Sequence, residues 1–164
     1  MVAEGFGVSA DDILAQYPLD AYPDAGAALA AALGHASLAC PSRRAARLLA
    51  EQGADVRVYY FTYPDAAFQL GATRDLGAFH SAEIQYVFGH PSAAGRMRFF
   101  GDDAALHDAL SGYWTRFAAS GDPNGDGAPS WPAHDVSGDA HLVLDREIAA
   151  GSGADAEACV LWEP

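Results

Sequence analysis

The chain has 164 residues, 51% of them hydrophobic, which is enough for a compact core and argues against intrinsic disorder. Twenty-two acidic residues against nine basic ones, all arginine, give a formal charge of -13. That charge repels phosphate backbones and anionic headgroups, so no nucleic acid or membrane-surface partner is expected.

The first third reads as helices. Ser9 with Asp12 resembles a capping box for ADDILAQY, and Pro18 stops that helix. Asp24 can cap AGAALAAAL, with Gly34 as the exit. PSRRAARLLAEQG then places Pro41 in a first turn and Gly53 just beyond the end, with Ala45, Leu48 and Leu49 on one apolar face. VRVYYFTY, residues 56–63, is the strongest strand, β-branched and aromatic between Asp55 and Pro64. Its near-continuous apolarity predicts an interior strand buried on both faces of a mainly parallel sheet, and a helix leading into such a strand indicates an α/β fold.

Residues 64–79 form a long loop. DDAALHDALSGYWTRFAASG is an amphipathic helix with Leu106, Leu110, Tyr113 and Phe117 in phase, ended by Gly121. Turn residues fill GDPNGDGAPSWP, HLVLD is a short strand, and EACVLW closes the chain. There is no internal repeat or domain boundary. No run approaches the roughly 18 apolar residues of a membrane span, and the opening MVAEGFGVSADD lacks the basic and apolar regions of a secretory signal.

No serine stands in the G-x-S-x-G pattern that places a hydrolase nucleophile on a strand-to-helix turn. There is no zinc-spaced cysteine pair, no H-E-x-x-H and no glycine-rich phosphate loop, so no metal site and no cofactor are expected. DPNGDG imitates the opening of a calcium loop through Asp122, Asn124, Asp126 and Gly127. Its twelfth position is Ala133, where a bidentate glutamate is required, so the segment is read as a turn. His35, His90, His107, His134 and His141 have no ligand partners at helical or strand spacing and read as packing or surface residues. His80, in GAFHSAEIQYVFG, differs in following a long loop beyond the strand, where α/β sites gather. Position alone leaves it open between a catalytic and a packing role.

LGAFHSAEIQYVFG resembles the catalytic-histidine segment of type B carboxylesterases, the cholinesterase-like branch of the α/β-hydrolases. CPSRRAARLLAEQGADVRVYYFTY resembles that family's Cys-Pro helix and following strand. YWTRFAASGDPNG with WP resembles its helix and Gly-Asp-Pro-Asn turn, and EACVLW resembles its cysteine-containing end. The order and spacing hold over roughly residues 9–162. Two positions depart from the pattern: Ser81 stands where glycine is usual, and His35 stands near a usual acidic residue.

The resemblance implies the C-terminal portion of an α/β-hydrolase fold, one partial domain over 1–164 with helices flanking a few mainly parallel strands. It implies a serine esterase in which His80 is the general acid–base, with the nucleophile and triad acid expected upstream and a small-molecule ester as substrate. A non-catalytic binding or adhesion module is the alternative. Glu83 would scaffold the histidine loop by hydrogen bonding or stay solvated. Cys40 and Cys159 match paired cysteines of the family. Their disulfide would indicate an oxidising compartment, with a secreted or periplasmic parent; two buried free thiols are the alternative. Without upstream neighbours, the exposed edges of the 56–63 strand are expected to favour self-association.

Overall fold

A computed structural model describes residues 7–66, 76–90, 99–125 and 127–162. They group into two compact units: residues up to Val56 with His134–Asp139 and the segment from Gly153, and a second unit of Arg57–Ala133 with Ala140–Ser152.

The first unit is helical. Helix α1 (Ala10–Gln16) is capped by Ser9, whose hydroxyl oxygen accepts the Asp12 N–H at 3.1 Å and donates its own proton to the Asp12 carboxylate. Asp24 caps α2 (Ala25–Gly34) by accepting the Ala27 N–H at 2.8 Å. Gly34 does not end this helix: its φ of -59° is helical, and the chain continues through a π-helical segment, His35–Ala39, into α3 (Cys40–Glu51). The sequence-based exit is corrected by Pro41. Proline has no N–H and its ring crowds the carbonyl four residues back. The π segment re-spaces the ladder just before it, with the Cys40 N–H bonded to His35 O five residues earlier.

Ala28, Ala32, Ala36 and Cys40, each four apart, are the buried row of this long helix. The face expected from Ala45, Leu48 and Leu49 is turned outward, with Leu48 52% and Leu49 54% exposed. Arg43 points inward instead, donating to Ala154 O and pairing with the Asp139 carboxylate. Helix α6 (Ala156–Cys159) is tied to the start of α3 by the Cys40–Cys159 disulfide, the pairing implied by the family resemblance. Beside it, Trp162 Nε1 donates to Tyr17 Oη at 2.8 Å. Tyr17 Oη lies 2.9 Å from His35 Nδ1, and His35 Nε2 lies 3.4 Å from the Asp155 carboxylate. His35 thus has a structural place, linking the N-terminal helix to the C-terminal segment.

The second unit holds the sheet. Strand β1 (Tyr59–Phe61) pairs in parallel with β2 (Ala140–Leu144), and β2 pairs antiparallel with β3 (Ala149–Ser152), in the order β1-β2-β3. The α/β class holds, with a small mixed sheet. The regular strand is shorter than residues 56–63, although Val58 O and the Thr62 N–H extend its bonding to β2. Among the described residues it lies at the end of the sheet order, with Tyr59 and Tyr60 each 37% exposed, so the expected burial on both faces is not met there. β2 is the buried strand: Leu142 and Leu144 are fully buried on one face, and His141 is buried on the other. Gly151 opposes His141 because a Cβ there would meet the imidazole at 2.7 Å.

Helix α4 (Ile84–Phe88) and helix α5 (Asp102–Ser120) pack on this sheet. Leu106, Leu110 and Tyr113 are buried as their spacing predicts, whereas Phe117 is 42% exposed. The turn after α5 is held locally. Asp122 Oδ1 accepts from the Asn124 backbone and side chain, and Asn124 exchanges two hydrogen bonds with the Trp131 backbone. Asp126, the third residue of the calcium-like motif, lies outside the described residues, as do residues 67–75 of the long loop.

Candidate active site

His80 lies in a turn between β1 and α5, immediately before α4, and its side chain is exposed. Consecutive short-range backbone bonds fix this turn to the helix. The Ala82 N–H donates to Phe79 O at 3.0 Å, Ile84 N–H to Ser81 O at 3.3 Å, and Tyr86 N–H to Glu83 O at 2.9 Å. Ser81 has φ of 68°, in the left-handed region that costs an L-residue roughly 1–2 kcal/mol. That conformation accounts for the glycine usual at this position. The turn demands a positive φ, and the sequence meets it with serine.

Glu83 is half-buried and accepts the Tyr59 hydroxyl at 3.0 Å, strapping the turn to β1. Burial, followed by the neighbouring Glu83 charge, pushes the Tyr59 phenol well above its ordinary value of 10.0. The phenol therefore stays protonated and keeps donating. Tyr59 is itself braced edge-on by Trp114 and Trp131.

On its far side the turn leads into a buried polar cluster that sequence reasoning missed. The Tyr63 and Tyr86 hydroxyls both donate to Asp103 Oδ1, at 3.1 Å and 2.9 Å. Burial first, and then the Asp103 carboxylate, raise both phenols well above 10.0. His107 Nδ1 lies 2.6 Å from Tyr86 O, and because a carbonyl only accepts, that nitrogen carries the proton. The legible signal was the i, i+4 spacing of Asp103 and His107 on one helix face; nothing local pointed to their tyrosine partners. Among the described residues, no group of three or more His, Cys, Asp or Glu side chains is placed to hold a metal ion. No described helix is long and apolar enough to cross a membrane.

A partial α/β-hydrolase fold, with a histidine exposed on a turn beyond a parallel strand, is the class these features define. The carboxylesterase family profile matches residues 10–162, and the chain belongs to that family, in its type B, cholinesterase-like branch. It is 32% identical over 134 residues to carboxylesterase 5A of Canis lupus familiaris, covering 79% of this chain and 23% of that protein. It is also 31% identical over 132 residues to acetylcholinesterase of Gallus gallus, covering 79% of this chain and 17% of that protein. Acetylcholinesterase of Leptinotarsa decemlineata is 29% identical over 124 residues, covering 75% and 19%. The chain thus spans a quarter or less of the length of these relatives.

Proposed function

We propose that this chain is the C-terminal part of a carboxylic-ester hydrolase and contributes His80 as the general acid–base of a serine triad. The nucleophilic serine, the triad acid and the oxyanion hole would come from the portion of the relatives' length that this chain does not span. As the serine oxygen attacks the ester carbonyl, the His80 imidazole takes its proton; it then delivers that proton to the departing alcohol. Water repeats the cycle on the acyl-enzyme, losing a proton to His80 and releasing the acid. Glu83, held by Tyr59, acts as a scaffold for the histidine turn and not as the triad acid.

The observation that carries this reading is the exposed imidazole on a turn locked by backbone bonds on both sides. A packing histidine would be buried against core side chains. The test is esterase activity on an activated ester. The chain alone should be no faster than free imidazole at equal concentration, because no serine in its sequence stands in the nucleophile-elbow pattern. Joined to the serine-bearing portion, it should give saturable turnover blocked by a serine-directed acylating reagent. Turnover by the chain alone, or a joined protein of native fold without esterase activity, would contradict the proposal.

A further inference from the structure

We propose that Asp103 and His107 are positioning residues that set where the His80 imidazole stands, by clamping Tyr86 at both ends. This rests on the esterase reading above, although the clamp itself is geometric. The two residues are four apart in the first turns of α5 and so share one face of it. Asp103 holds the Tyr86 hydroxyl and His107 holds the Tyr86 carbonyl, at 2.9 Å and 2.6 Å. Tyr86 lies in the middle of the five-residue helix α4 and is fully buried. Its carbonyl is one of the last four of that helix, which lack intrahelical partners, so the imidazole N–H satisfies an otherwise orphaned acceptor.

Further contacts remove the freedom left to α4. The Tyr86 ring stacks on Phe99 at 4.9 Å between centroids, and Phe99 in turn lies 5.4 Å from the His107 ring. Gly89, at φ of 67°, ends α4 against the His107 ring, where an added Cβ would come within 2.9 Å of its Cε1. The imidazole therefore fits only a glycine terminus.

From Tyr86 the constraint passes back through its bond to Glu83 O and on to the 79–84 turn that carries His80. A helix so short cannot hold its own position, and isolated helices below about 12 residues are marginal in water. Its placement comes largely from α5, which acts beside the Glu83–Tyr59 strap that ties the histidine turn to β1. Tyr63 shares the Asp103 oxygen but belongs to the segment after β1, so losing its hydroxyl loosens the cluster without releasing the histidine turn.

That difference gives the experiment, made in the complete esterase that contains this segment. Tyr86→Phe and Tyr63→Phe each remove one hydroxyl from the same carboxylate oxygen, and both should lower Tm. Only Tyr86→Phe should also lower kcat, with KM nearly unchanged. Asp103→Ala should lower kcat by about 10- to 100-fold, the scale set by a misplacement near 1 Å. Asp103→Asn, which keeps an acceptor oxygen, should recover part of that loss. Hydrogen exchange should rise selectively across residues 79–88 in Asp103→Ala and in His107→Ala, while β2 stays protected. Equal kcat for the two tyrosine variants, or exchange rising uniformly or not at all over 79–88, would overturn the proposal. His80→Ala is measured alongside. If it stays active, the esterase reading and the catalytic consequence fall together, and exchange alone then decides whether the clamp exists.

Discussion

At the scale of single residues, Ser81 and the tyrosines around the histidine turn carry most of the physical content. Ser81 sits at φ of 68° without the freedom glycine has there. Ser81→Gly should therefore raise stability by about 0.5–1 kcal/mol, the left-handed penalty less the extra chain entropy of glycine. Urea unfolding of the complete domain checks this, and a less stable glycine variant would show that the turn is not strained. Tyr59, Tyr63 and Tyr86 all have phenols raised above 10.0, chiefly by burial. In the folded state they keep protons that the unfolded chain releases. Their contribution to stability is thus complete below pH 10 and declines as pH rises beyond it. A spectrophotometric titration should show the buried Tyr63 and Tyr86 phenols ionising only together with unfolding; reversible ionisation of all seven tyrosines in the native state would contradict the burial of those two. His80 stood out in the sequence as a candidate because a whole stretch of residues resembles a family segment. Asp103 and His107 showed only an i, i+4 spacing, since their meaning lies in contacts with Tyr63 and Tyr86, which the chain brings together only on folding.

Among the elements, helix ends with a local chemical cause were the most readable. Ser9 and Asp24 cap where their side-chain oxygens predict, and Gly121 ends α5 at φ of 79°. The join at Gly34 was misread because glycine marks an exit only when the chain needs a left-handed residue. Here Pro41 demanded a π segment and the chain stayed helical. β3, Ala149–Ser152, was invisible, since its small residues carry no strand preference and it forms by pairing with the buried β2. The disulfide between α3 and α6 spans 119 residues. In the chain-entropy treatment, closing a loop of that size stabilises by roughly 4–5 kcal/mol. Replacing Cys40 and Cys159 together by alanine should lower stability by up to about that amount in an oxidising buffer, leaving reducing agent without effect on the variant. Unchanged Tm in the double variant would mean that the Tyr17–His35–Asp155 contacts already hold this end of the chain.

For the molecule as a whole, the exposed apolar surface matters most. β1 lies at the end of the sheet with two half-exposed tyrosines, and the long helix turns Leu29, Leu48 and Leu49 outward. In the proposed esterase these surfaces would meet the remainder of the domain. The chain by itself should therefore self-associate, seen as concentration-dependent sedimentation and broad thermal unfolding. A monodisperse monomer with a sharp cooperative transition would show that its own helices suffice to cover the sheet.

In the proposed esterase the exposed His80 moves the proton in ester hydrolysis. The most direct measurement compares kcat and Tm for wild type and His80→Ala in the complete esterase. Triad members act as a unit, so kcat should fall by about three orders of magnitude or more while Tm stays close to wild type, because an exposed side chain contributes little to packing. Retention of full kcat, above all with a lowered Tm, would make His80 a packing residue and not the triad base.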